Sequence, residues 1–90
     1  MEKTIYTREY GAMLRALRDT RERVPITQME LASKLNVTQV FISKCESGLR
    51  RLDLIELRAW CAAMGLSTSD FLEVVEVEIA NLPTQGDISE

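Results

Sequence analysis

The stretch Thr27-Gln28-Met29-Glu30-Leu31-Ala32-Ser33-Lys34-Leu35-Asn36-Val37-Thr38-Gln39-Val40-Phe41-Ile42-Ser43-Lys44-Cys45-Glu46 decides how the rest of the chain is read. Its first four residues form a capping box, in which the Thr27 hydroxyl takes an amide of the first turn and Glu30 reaches back. Leu31, Ala32 and Leu35 follow at helical spacing and make an inner face. The pattern breaks at Asn36, and asparagine is second only to glycine in accepting a left-handed backbone. After the short turn Leu35-Asn36-Val37, Thr38 is placed to cap another helix, which runs to about Glu46 and stops near Gly48. Ile42 and Cys45 share one face of that helix, with Val37 where the chain enters it. Gln39, Val40, Ser43, Lys44 and Ser47 share the opposite face, which is mostly short and polar.

Two short helices across a tight turn, the second with a polar outward face, describe a helix-turn-helix over about residues 28–46. Ala32 must be small because the helices cross closely. Position 36 must accept a left-handed backbone, and Val37 and Ile42 must be apolar to lock the pair. The second helix can then project into a major groove.

Working outward, the spacing predicts a first helix over 8–23, capped by Thr7, with Tyr10, Leu14 and Leu17 on its apolar side. Val24-Pro25 ends it, because a residue before proline is pushed out of the helical region. Leu49-Arg50-Arg51-Leu52 is a basic connector. Asp53-Leu54-Ile55-Glu56 is a second capping box opening a helix with the stripe Leu57, Trp60, Cys61, Met64, ended by Gly65. Ser67 or Ser69 opens a last helix with Phe71, Leu72 and Val75 inward. The alternation Val75-Glu76-Val77-Glu78-Ile79 keeps a strand open as the alternative there. Pro83 to Glu90 reads as a frayed acidic tail. The organisation is thus one domain over 1–80, a dimerisation segment over 66–82 and a flexible tail over 83–90.

Ninety residues, 46% apolar and 28% charged, suit one soluble globular domain. The chain has no histidine and two cysteines, Cys45 and Cys61. That excludes a His/Cys zinc site, a histidine general base and a disulfide framework, and no cofactor or enzymatic activity is expected. No apolar run is long enough to span a membrane and no signal-peptide pattern opens the chain, so a cytoplasmic location is expected. Net charge is −3, yet all eleven Lys and Arg lie between Lys3 and Arg58, against eight acids in residues 1–60. Residues 61–90 hold six acids and no base. This is a basic body followed by an acidic segment.

The runs Ile26-Thr27-Gln28-Met29-Glu30-Leu31-Ala32, Val37 through Gly48 and Arg50-Arg51-Leu52-Asp53-Leu54-Ile55-Glu56-Leu57 together resemble the lambda repressor/Cro-like helix-turn-helix family, also called the xenobiotic-response-element family. The resemblance covers roughly residues 10–75. It implies an all-α, five-helix DNA-binding domain of a bacterial or phage transcription regulator, usually dimeric. It implies further that Gln28 holds a phosphate, that Gln39 and Val40 read bases with Lys44 one turn on, and that Arg21 pairs with Glu46. Asn36 stands where that family usually has glycine, and Pro25 replaces another frequent glycine.

On such a helix Gln39 can take adenine through N6 and N7, and Val40 can cover a thymine methyl. Ser43 faces the same way, and Lys44 can reach guanine or phosphate. Thr38 and Ser47 are further candidate phosphate contacts, and Arg50 and Arg51 would flank the groove. Trp60, Cys45 and Cys61 fall on apolar faces and read as core. The expected function is a sequence-specific regulator, most often a repressor, binding a pseudo-palindromic operator in double-stranded DNA as a homodimer. Phe71, Leu72, Val75 and Ile79 are the expected dimer surface. The alternative is an antitoxin that also binds a toxin, its acidic C-terminal segment adding a strand to that protein partner.

Overall fold

The computed structural model describes residues 5–83. They form five helices and, among the described residues, no strand: α1 (Ile5–Arg23), α2 (Gln28–Leu35), α3 (Gln39–Glu46), α4 (Leu54–Met64) and α5 (Thr68–Ala80). The expected all-α, five-helix architecture is therefore the one observed. The tail expected over 83–90 lies, beyond Pro83, outside the described residues.

Local chemistry sets each boundary. Thr27 accepts the Glu30 amide while the Glu30 carboxylate accepts the Thr27 amide, and the same reciprocal box joins Asp53 and Glu56. Thr38 and Ser67 cap α3 and α5 through single side-chain acceptors. Asn36 closes α2 with φ 60° and ψ 43°. Its amide bonds Ser33 O and the Val37 amide bonds Ala32 O, the paired bonds that let a helix stop abruptly in a left-handed residue. Gly65 closes α4 the same way, at φ 84°.

One cluster makes the core. Ala16 and Leu17 of α1, Leu31 and Ala32 of α2, Ile42 and Cys45 of α3, Leu57, Trp60 and Cys61 of α4, and Phe71 and Val75 of α5 are all buried in it. α2 packs on α3 and on α4, and α1 packs chiefly on α5. This arrangement holds α3 at one side of the molecule with its inner face, Ile42 and Cys45, locked down. Burial pushes the thiols of Cys45 and Cys61 up, so both stay protonated and unreactive.

Two expectations are corrected, on the start of α1 and on the dimer surface, and two open alternatives are decided, on the cap of α5 and on residues 75–79. α1 begins before Thr7, which lies inside the helix and does not cap it. Ser67, not Ser69, caps α5. Residues 75–79 are helical, because Phe71, Val75 and Ile79 recur every four residues and pack into the core, so no strand is offered there to a partner. Phe71 and Val75 are wholly interior and cannot form a dimer surface in the folded chain. Of the four residues expected at that surface, Leu72 is exposed and Ile79 is half-buried against the core.

Candidate nucleic-acid interface

Arg21, near the end of α1, is the pivot of the site. Its Nη1 donates to Ile26 O at 2.9 Å, which fixes the turn leading into α2. Its Nε and Nη2 fork onto the Glu46 carboxylate at 2.6 and 3.1 Å, which fixes the end of α3. Both side chains are more than nine-tenths buried. A two-point guanidinium–carboxylate bond is directional as well as strong, so it sets the angle of α3 against α1.

The chain of bonds continues outward. Glu46 Oε1 also accepts Gln28 Nε2 at 2.9 Å, and Gln28 Oε1 accepts Gln39 Nε2 at 2.7 Å. An ionised carboxylate can only accept. Gln28 must therefore turn its NH2 group to Glu46 and its oxygen to Gln39. Gln39 must in turn present NH2 to Gln28, which leaves one N–H and the carbonyl oxygen free at the surface. Those are the donor and acceptor that adenine's N7 and N6 require. Gln28 and Gln39 are thus brought together, and Gln28 is engaged with Glu46 as well.

Val40, Ser43, Lys44 and Ser47 stand exposed beside Gln39 on the same face of α3. Val40 is 59% exposed, an open aliphatic surface amid polar neighbours. Thr38 accepts the Phe41 amide at 3.1 Å and remains exposed. Ser47 Oγ donates to Lys44 O at 3.1 Å, so its proton is already used and its lone pairs face outward. Arg18, which sequence reasoning missed, joins Gln28, Ser43, Glu46 and Ser47 around a cleft of about 160 Å³. It is exposed and only loosely paired with Glu22, at 3.4 Å. The signal for it was the spacing from Arg21, one helical turn away on α1.

The two connector arginines differ in a way the sequence conceals. Arg50 forks onto Glu56, Nη1 to Oε1 at 3.0 Å and Nη2 to Oε2 at 2.8 Å. It also donates to Arg51 O and lies 4.8 Å from the centre of the Phe41 ring. The Arg50 guanidinium, with help from the Asp53 amide, holds the Glu56 carboxyl below the usual carboxylate range. Arg51 instead stacks on the Tyr10 ring, 4.2 Å from its centre, and the Tyr10 hydroxyl accepts the Leu52 amide. Among the described residues Arg51 makes no ion pair. An aromatic face positions a cation without neutralising it, so Arg51 keeps its full charge for an anion.

Among the described residues, no helix is long and apolar enough to cross a membrane, and no three His, Cys, Asp or Glu side chains gather where they could hold a metal ion. Residues 9–74 match the model of a family described as "Helix-turn-helix domain". The chain is also similar to an XRE-family like protein from Pseudomonas syringae pv. tomato str. DC3000. The two are 38% identical, with a TM-score of 0.76 over 81% of this chain and 89% of that one. No curated protein matches.

Proposed function

The chain belongs to the helix-turn-helix family of XRE type and is a DNA-binding transcription regulator, and from that premise we propose that it is a repressor binding a pseudo-palindromic operator as a homodimer. The observation that carries this reading is the oriented Gln39 amide at the N-terminal end of an exposed α3 face. An amide turned by a buried ion pair two residues removed is preorganised for a base edge, and preorganisation lowers the ordering cost of binding.

Gln39 and Val40 read an adenine and a neighbouring thymine methyl, with Ser43 and Lys44 following along the groove. Arg51, Arg18 and Thr38 surround α3 and take phosphates, and Ser47 joins them only by releasing Lys44 O. Gln28 does two things, steadying Gln39 and offering its remaining N–H to the backbone. Arg50 is kept from most of this work by Glu56 and acts chiefly to hold the connector. The chain binds and carries out no catalysis in this reading. Blocking a promoter by occupancy needs nothing beyond such a domain, which is why repression is the sign proposed.

Footprinting on the DNA immediately upstream of the protein's own gene tests the reading. The expected result is protection of two half-sites about one helical turn, roughly 34 Å, apart. Uniform protection without a preferred segment, or none at all, contradicts it.

A further inference from the structure

We propose that the outward face of α4 is where a second copy of this chain docks, with the acidic α5 of that copy lying against Arg58. The inference rests on the dimeric reading above and names its surface. α4 is apolar on both sides. Leu57, Trp60, Cys61 and Met64 line its buried side. Its outer side carries Leu54, 62% exposed, and Ile55, 71% exposed, with Ala59 and Ala62 continuing the stripe. Arg58 is the one charge there, since Glu56 is turned to Arg50 and the Asp53 amide. A helix with apolar residues on its inner and outer faces belongs between two layers, and the folded chain supplies one.

The occupant follows from charge and continuity. A groove of about 400 Å³ runs from Ile55, Arg58, Ala59 and Ala62 to Ser67 and Thr68, where α5 begins. The outer face of α4 and the Thr68–Leu72 edge of α5 are therefore parts of one surface. α5 carries Asp70, Glu73, Glu76 and Glu78 with no base, and Leu72, Val74 and Val77 are exposed among them. One half of the surface is apolar with a cation, the other apolar with anions. A two-fold rotation lays each half on its complement, which is what an isologous dimer requires. Pairing α5 with α5 alone would set carboxylates against carboxylates. Neither Ile55 nor Arg58 belongs to the α3 face, so the docked pair leaves DNA binding open.

Sedimentation of the full chain tests this, with wild type, Ile55→Asp, Arg58→Glu, and Arg58→Glu combined with Glu73→Arg and Glu76→Arg. Helical circular dichroism and the emission of Trp60, the sole tryptophan, report that each remains folded; Ile55 and Arg58 are exposed, so they should. Wild type is expected to dimerise at tens of micromolar. Ile55→Asp and Arg58→Glu should each weaken the dimer by about tenfold or more, and the combined variant should recover most of the Arg58→Glu loss. A dimer unaffected by Ile55→Asp, or an Arg58→Glu loss that the α5 changes leave uncorrected, overturns this surface while the dimeric reading stands. A wild-type chain that stays monomeric, alone and on operator DNA, overturns both.

Discussion

Gln39 is steadied from behind, by Gln28, Glu46 and Arg21 in turn, and the links of that chain differ in what they support. Removing Glu46 leaves the buried Arg21 with only the half-exposed Glu22 carboxylate, 4.0 Å away, so Glu46→Ala should cost about 3 kcal/mol of stability. Removing Gln28 leaves Arg21–Glu46 intact. Gln28→Ala should therefore cost only about 1 kcal/mol in a urea titration, yet lower operator affinity by freeing the Gln39 amide. Equal stability losses in the two variants would show that the ion pair is not the pivot described. Little of this chain was legible from residue order. Arg21 and Glu46 lie 25 positions apart, and periodicity places each on a helix without saying that they meet; only the family resemblance paired them. Arg51 on Tyr10, 41 positions away, had no local signal at all.

Helix ends were the most legible feature, because caps are written in three or four adjacent residues. Thr27–Glu30, Asn36, Asp53–Glu56 and Gly65 all behave as their residue types dictate. Asn36 holds a left-handed conformation that a Cβ without a local polar group tolerates poorly. Asn36→Ala should lose about 1 kcal/mol in thermal or urea unfolding, whereas Asn36→Gly should stay within about 0.5 kcal/mol of wild type. An equal loss for both would mean that the asparagine side chain, not the backbone, matters. The strand alternative at 75–79 arose because five alternating residues fit either period, and the choice fell to Phe71, Val75 and Ile79 packing into the core. Thr7 failed as a cap because the helix simply continues through it. At the connector, Glu56 titrates below the ordinary carboxylate range because Arg50 holds its charged form. That stabilisation is present above the unfolded carboxyl value and is lost as pH falls through the lowered folded value. The melting difference between wild type and Glu56→Gln should thus be seen at neutral pH and vanish in acid. A difference that grows on acidification contradicts the pairing.

Across the described residues charge is segregated, with the basic groups on α1–α4 and the connector and an all-acidic α5. Residue counts showed that polarity from the start, but not which cations stand free, because Arg50 and Arg51 are identical letters with opposite environments. Phosphate contact releases counterions, so binding to any duplex should weaken steeply as salt rises. Arg51→Ala should flatten that slope more than Arg50→Ala does; the reverse order would mean that the Glu56 pair opens on DNA. In the proposed complex α3 reads bases through Gln39 while the surrounding cations hold phosphates. Titrating wild type, Gln39→Ala and Arg51→Ala against operator and scrambled duplex at two salt concentrations checks that division of labour. Gln39→Ala should weaken operator binding by about 1–3 kcal/mol per half-site, hence about 2–6 kcal/mol for the dimer, and leave scrambled DNA almost untouched. Arg51→Ala should weaken both duplexes alike. If Gln39→Ala and Arg51→Ala lose equal amounts on both duplexes, Gln39 is not reading bases.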